Sequence, residues 1–210
     1  LPVKTIALDK TEADDIIAYL GSIIPSKPED KIIIVSSDKD FLQLVNENVL
    51  VYRPIEKEYY NEDTIKEKFN ISPHNFIIYK TLLGDSSDKV KGIKGLGEKG
   101  LYKKFPEITE KDLTLDDIHS ICESKFKDHL VYARVIQNIE ELEKNYKIMD
   151  LSNPMLTDRD KEQLKTFVLS EKTHYLPEQF LAMYKKDQLG SIIRNVEYWI
   201  GDVFSRFEQK

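Results

Sequence analysis

This 210-residue sequence is short of the residue types that build disulfide frameworks, thiolate metal sites and membrane spans. Its single cysteine, Cys122, excludes an internal disulfide and a thiolate cage for zinc. The four histidines, His74, His119, His129 and His174, are scattered without zinc-ligand spacing and read as surface or packing residues. No apolar run approaches the roughly 20 residues that a spanning helix needs, and no charged-then-apolar signal segment opens the chain. A soluble, intracellular protein is the expectation. Glycine is scarce as well, eight in all, yet five of the eight fall in "GDSSDKVKGIKGLGEKGLYKK", Gly84 to Lys104. There is no internal repeat and no low-complexity linker. Charge is plentiful, 32% of residues with a net −6, and 40% apolar content suffices for a core of one domain or one and a half.

The first half reads as α/β and the second as helical. "VKTIAL" predicts a short strand, Thr11 a helix cap, and "EADDIIAYLGSII" a helix. "KIIIVSS" is a continuous β-branched run, which predicts a strand buried on both faces of a parallel sheet. "DFLQLV" follows as a short helix, "NVLVYRP" as a strand and "EKEYYN" as an edge segment, giving a βαβαβ order and a parallel sheet. From Asn61 strands nearly vanish. Asn61 caps "EDTIKEKF"; "SPHNFIIYKTLLG" shows a serine cap, a proline in its first turn and a closing glycine. Thr114 with Asp117 predicts a capped helix over "TLDDIHSICESKF", and "DHLVYARVIQNIEELEKNY" one long amphipathic helix. "DLSNPMLTD" reads as a loose connection, and "DRDKEQLKTFVL", "PEQFLAMYKK" and "RNVEYWIGDVFSRF" as a helical tail. The organisation expected is an α/β core over 1–83, a hairpin region with helices over 84–150, and a helical region over 151–210.

Three acidic clusters stand out. Glu12, Asp14 and Asp15 open a helix after a strand, and Asp38 and Asp40 directly follow "KIIIVSS", so both groups lie at the carboxyl edge of the sheet, where open α/β sheets place ligands. Asp85 and Asp88 follow the Gly84 helix stop. Taken singly, each is explained by helix dipoles, caps or turns. Together, seven converging carboxylates would repel one another unless cations sat among them, and hard oxygen ligands point to Mg²⁺ or Mn²⁺. Without these seven the net −6 becomes +1, so the rest of the chain is not acidic.

The segment after Asp88 is the chain's one concentrated basic stretch. "GLGEKG" formally fits a dinucleotide-binding glycine pattern, but the polar, glycine-broken "DKVKGIK" stands where that motif requires an apolar strand. The reading preferred is a hairpin, "GIKGLG", between two short helices, "SSDKV" and "EKGLYKKF". Gly92, Gly95 and Gly97 would let the backbone approach a phosphate, and Lys89, Lys91, Lys94 and Lys99 add counter-charge without base specificity.

"TEADDIIAYL", "SSDKDFLQL" and "LLGDSSDKVKGIKGLGEKG" together resemble the three diagnostic stretches of the 5′-nuclease (flap endonuclease) family, over roughly Lys4 to Phe105. The helical tail is more weakly similar to the phage ribonuclease H branch. The resemblance implies a PIN-like parallel-sheet nuclease core with a helix-hairpin-helix motif. It implies two-metal cleavage of flaps, nicked ends and RNA–DNA duplexes in primer removal, with the metals about 3.5–4 Å apart. By match, Glu12 and Asp14 would ligate the first metal, Asp15 and Asp38 would bridge or bind through water, and Asp40, Asp85 and Asp88 would serve the second. The hairpin would grip duplex backbone, with K⁺ on its loop carbonyls.

Implied partners are duplex or flap DNA, an RNA–DNA hybrid, a single-stranded-DNA-binding protein or a sliding clamp, in the cytoplasm of a bacterium or phage-infected host. Family members carry, before the equivalent of Leu1, a strand with a metal-ligating aspartate, a second such aspartate and a basic arch. The chain opens instead on "LPVKTIALDK", so an N-terminal segment of the same enzyme is a further expected partner. The reading of a different class is a non-catalytic duplex-binding module; seven retained, mutually repelling carboxylates argue against it.

Overall fold

The computed structural model describes residues 3–86, 89–170 and 176–204. The chain divides into two compact units, Lys10–Lys161 and the two ends, Leu1–Asp9 with Glu162–Lys210.

The larger unit begins with helix α1 (Ala13–Ile23), which buries Ile16, Ala18 and Gly21. Its N-cap is Glu12 and not Thr11; the cap's side chain makes no bond to the helix. The "KIIIVSS" run forms β1 (Ile32–Val35), and a 3₁₀ turn over Asp40–Leu44 leads to β2 (Val49–Arg53). The two strands pair in parallel, Ile32 opposite Val49 and Val35 opposite Tyr52. β3 (Glu58–Tyr60) then pairs antiparallel with β2, Val51 opposite Tyr60. The sheet is therefore mixed, in order β1-β2-β3. The expected all-parallel order fails here because the link from β2 to β3, residues 54–57, is too short for a crossover and long enough only for a hairpin.

Two further expectations are corrected. "VKTIAL" forms no strand, and among the described residues β1 is the outer strand of its sheet, paired with β2. β1 is buried on one face, not two: Ile34 is 6% exposed, whereas Ile33 and Val35 are 48% and 65% exposed. Register places Ile33, Val35, Leu50, Tyr52 and Tyr59 on this second face, and Ile34, Val49, Val51 and Tyr60 against the core.

Helices dominate thereafter. α2 (Glu62–Phe69) is capped as expected, the Thr64 N–H donating to Asn61 Oδ1 at 2.8 Å. α3 (Phe76–Leu83) starts four residues beyond the expected Ser72 cap, because Ser72 and Pro73 form a preceding turn whose Ser72 Oγ accepts from the Asn75 N–H. Gly84 ends it at φ +81. β4 (Gly84–Asp85) and β5 (Val90–Lys91) follow as an antiparallel pair, so the expected helix over "SSDKV" does not form where it is described. Gly84 and Gly92 explain why. A Cβ on Gly92 would lie 2.1 Å from the Leu83 carbonyl carbon, and one on Gly84 2.3 Å from the Gly92 nitrogen. Two bare backbones cross, and the Ile93 N–H donates to the Leu82 carbonyl at 2.8 Å. The chain arrives at α4 (Glu98–Lys104) through a strand hairpin, not from a first short helix.

α5 (Leu115–Ser124) carries the expected capping box of Thr114 and Asp117. The single long helix expected next is two, α6 (Leu130–Gln137) and α7 (Ile139–Met149), parted at Asn138, whose φ −112 and ψ 17 leave the helical region. One continuous core joins Ile34, Val51, Leu82, Leu101, Phe105, Ile118, Val135 and Leu142, so sheet and helices of this unit share their interior. Further along lie α8 (Asp158–Leu169), α9 (Pro177–Lys186) and α10 (Val196–Phe204). In the smaller unit Trp199 packs between Phe180 and Phe204, and the Lys4 ammonium donates to the Phe167 and Ser170 carbonyls. No helix among the described residues is long and apolar enough to cross a membrane.

Candidate metal centre and nucleic-acid interface

The start of α1 and the end of β1 bring five of the seven predicted acids to one cavity of about 580 Å³, lined by Glu12, Asp14, Asp15, Asp38 and Asp40 with Lys10. Each acid is set by local structure. Asp14 and Asp15 occupy the first turn of α1, where free N–H groups favour negative charge. Asp15 Oδ1 also accepts from the Met155 N–H at 2.9 Å. Asp38 accepts from the Asp40 N–H at 2.9 Å, which fixes the turn beyond β1. Behind that turn Arg53, 6% exposed, donates to the Ser37 carbonyl at 2.9 Å, ion-pairs with Glu56 and lies over the Tyr60 ring. The other wall is apolar, from Val90, Ile148, Met149, Leu151 and Met155. Val90 stands beside Lys91, so the basic hairpin adjoins the acids.

Asp85 joins the group through a residue that sequence reasoning missed. Lys80, on α3 and 6% exposed, ion-pairs with both Asp40 and Asp85, the latter at 2.7 Å. A signal was available: a lysine within the apolar run "FIIYKTLL", four residues before a helix-ending glycine, has to bury its ammonium against something acidic. Asp88 lies outside the described residues.

Charge crowding is legible in the proton affinities. Burial, with Asp38, Asp40, Glu12 and Asp15 around it, holds the Asp14 carboxyl above its ordinary pKa. Burial likewise raises Asp40, and the hydrogen bond from Lys80 only partly opposes this. Burial alone would depress Lys80, but its bonds to Asp40 and Asp85 outweigh that and raise it. The cavity therefore holds more negative charge than its own cation neutralises. Among the described residues no three acids, histidines or cysteines stand close enough to hold one metal ion. The donors are hard oxygens suited to Mg²⁺ or Mn²⁺, but the described side chains are not gathered into a finished cage.

The predicted phosphate-binding residues lie along the hairpin and the first turn of α4. Lys89, Lys91, Lys94 and Lys99 are all exposed, as are Gly95 and Gly97. Gly95 has φ +83, a conformation that favours glycine.

The chain is similar in sequence and fold to known nucleases. Residues 1–70 match the family model of the 5′-3′ exonuclease N-terminal, resolvase-like domain. A 5′-3′ exonuclease of Aquifex aeolicus is 35% identical over 163 residues, 78% of this chain and 53% of the relative. Flap endonuclease Xni of Colwellia psychrerythraea is 28% identical over 155 residues, 74% of this chain and 48% of the relative. The chain thus spans about half the length of these curated relatives. Among solved structures, a bacteriophage T5 flap endonuclease in a pseudo-enzyme–product complex with DNA and metal ions matches with a TM-score of 0.63 at 21% identity, covering 79% of this chain and 63% of that one. That likeness establishes a shared α/β nuclease fold. With an exonuclease-type N-terminal region, sequence similarity to an exonuclease and a flap endonuclease, and this fold, the chain is similar to members of the 5′-nuclease family.

Proposed function

We propose that the chain supplies the greater part of the active site of a structure-specific 5′-nuclease that hydrolyses phosphodiesters of flap DNA, nicked ends or RNA–DNA hybrids, as in primer removal during replication. The observation that carries this reading is the convergence of Glu12, Asp14, Asp15, Asp38 and Asp40 on one cavity, with Asp85 tied to it through Lys80. Crowded carboxylates with raised proton affinity are what a divalent cation relieves. Glu12, Asp14, Asp15, Asp38, Asp40 and Asp85, with Asp88, would hold Mg²⁺ or Mn²⁺. Bound there, the metal supplies an activated water and stabilises the leaving oxygen of an in-line displacement. The chain's own residues do the rest. Asp15 and Asp38 are fixed by backbone hydrogen bonds, Lys80 orients Asp40 and Asp85, and the exposed lysines place duplex backbone beside the acids. K⁺ on carbonyls of the hairpin loop would be a further part of this reading.

An acid cage that is not closed among the described residues and an uncovered sheet face at β1 support one addition: a further segment of the same enzyme would complete the site, in cis or as a separate polypeptide. Such a segment laid over the exposed face of the sheet would cover Ile33 and Val35.

The test is a 5′-flap duplex incubated with the completed enzyme and Mn²⁺. The expected products carry a 5′-phosphate and a 3′-hydroxyl, and Asp40→Asn lowers the rate at least about 100-fold. Retained cleavage in Asp40→Asn, or metal-independent cleavage, would contradict the reading.

A further inference from the structure

We propose that Arg134 is a positioning residue for the glycine–lysine hairpin, holding from α6 the loop shape that meets a phosphate backbone. The inference rests on the hairpin being the duplex grip. Three side chains on α6 and α7 donate to three carbonyls along this segment: Arg134 Nη1 to Lys94 at 2.6 Å, Asn145 Nδ2 to Lys91 at 3.2 Å, and Tyr132 Oη to Lys104 at 2.9 Å. They brace the first limb of the hairpin, its tip and the end of the helix that follows. Each bond takes an acceptor and none takes a donor, so the brace itself uses no N–H of the loop; the Ile93 and Leu96 N–H groups already donate to the Leu82 and Ile93 carbonyls.

Arg134 is placed most tellingly. A Cβ on Gly95 would come within 2.9 Å of Arg134 Nη1, so the guanidinium fills the space that a side chain at the tip would claim. It is also a cation set beside exposed lysines, an arrangement that raises the energy of the free protein unless a dipole or an anion answers it. The Lys94 carbonyl is that dipole, and a charge-assisted bond of this kind is among the stronger contacts a surface loop can have. Glycine-rich exposed segments otherwise sample many shapes, and a loop ordered only on binding loses affinity by its ordering entropy.

Arg134 therefore acts on affinity without being a phosphate contact, and the two roles separate in salt dependence. A lost phosphate contact flattens log affinity against log salt by about 0.9, whereas a lost brace leaves that slope alone. The experiment measures duplex DNA binding by anisotropy in Ca²⁺ at several salt concentrations, with wild type, Arg134→Ala and the triple variant K91A/K94A/K99A. Hydrogen exchange of the Lys94–Gly97 amides is followed in parallel. Arg134→Ala is expected to bind about tenfold more weakly with an unchanged slope and with faster exchange at the tip. A flattened slope would make Arg134 a direct contact and overturn the proposal, as would unchanged affinity or unchanged exchange. If the triple variant keeps the wild-type slope, the hairpin is not the grip and both readings fall. If it flattens the slope while Arg134→Ala binds normally, only this inference falls.

Discussion

Asp14 shows how the charge balance of the site is set one carboxylate at a time. It stands where a helix start favours an anion, yet burial and four neighbouring acids push its proton affinity up, so the second influence wins. A carboxyl whose pKa is higher folded than unfolded binds protons preferentially in the native state. Stability of the metal-free chain should then fall as pH rises through the raised pKa of Asp14, and the loss should be complete above it. Asp40 adds in the same direction. Glu107, lowered by its bond to Lys125 although burial opposes this, acts oppositely, losing stability as pH falls. Asp14→Asn should therefore flatten the decline that starts at the ordinary carboxylate pKa and ends above the raised one, and should reduce the stabilisation that Mn²⁺ gives at neutral pH. Thermal melting against pH, with and without Mn²⁺, measures both. An unchanged profile would mean that Asp14 is not in the crowded cluster.

Among the elements, those whose ends are written in adjacent residues were legible from sequence and those that depend on distant partners were not. The Asn61 cap and the Thr114–Asp117 box form as expected, and α8 and α9 match their quoted segments end to end, because caps and breakers act within a turn. The strand expected over "VKTIAL" depended on pairing with a strand distant in sequence, and its residues make no such pairing as described. The break at Asn138 sits inside an unbroken amphipathic pattern, so periodicity could not see it. At the site, the acids were legible as clusters after a strand and a helix stop. Arg53 and Arg134 were not, since their roles come from contacts across the fold; Lys80 was legible only as a cation in an apolar run, its partners Asp40 and Asp85 being set by the fold. The hairpin was recognised by its glycines but given the wrong first element, because the crossing of Gly84 and Gly92 is a tertiary contact. That crossing makes its own prediction. Gly92→Ala sets a methyl into the Leu83 carbonyl and should cost on the order of 4 kcal/mol in urea unfolding. A cost below about 1 kcal/mol would show that the hairpin does not sit against the end of α3.

For the molecule as a whole, the acid-lined cavity, the lysine hairpin and the half-covered sheet lie in one unit, Lys10–Lys161, and share one core. On the proposed reading, cutting and gripping would be built on the same interior, and the uncovered face of β1 is where that interior stops. The central claim is that this unit is a nuclease site awaiting completion by a further segment of its enzyme. The most direct measurement is the single-turnover rate of 5′-flap cleavage in Mn²⁺ for three samples: this chain alone, this chain with the additional N-terminal segment of a relative, and the same mixture carrying Asp14→Asn. The account predicts slow or no cleavage alone, a rise of at least about 100-fold on adding the segment, and loss of that rise in the variant. Full cleavage by the chain alone, or a rise that survives Asp14→Asn, would contradict it.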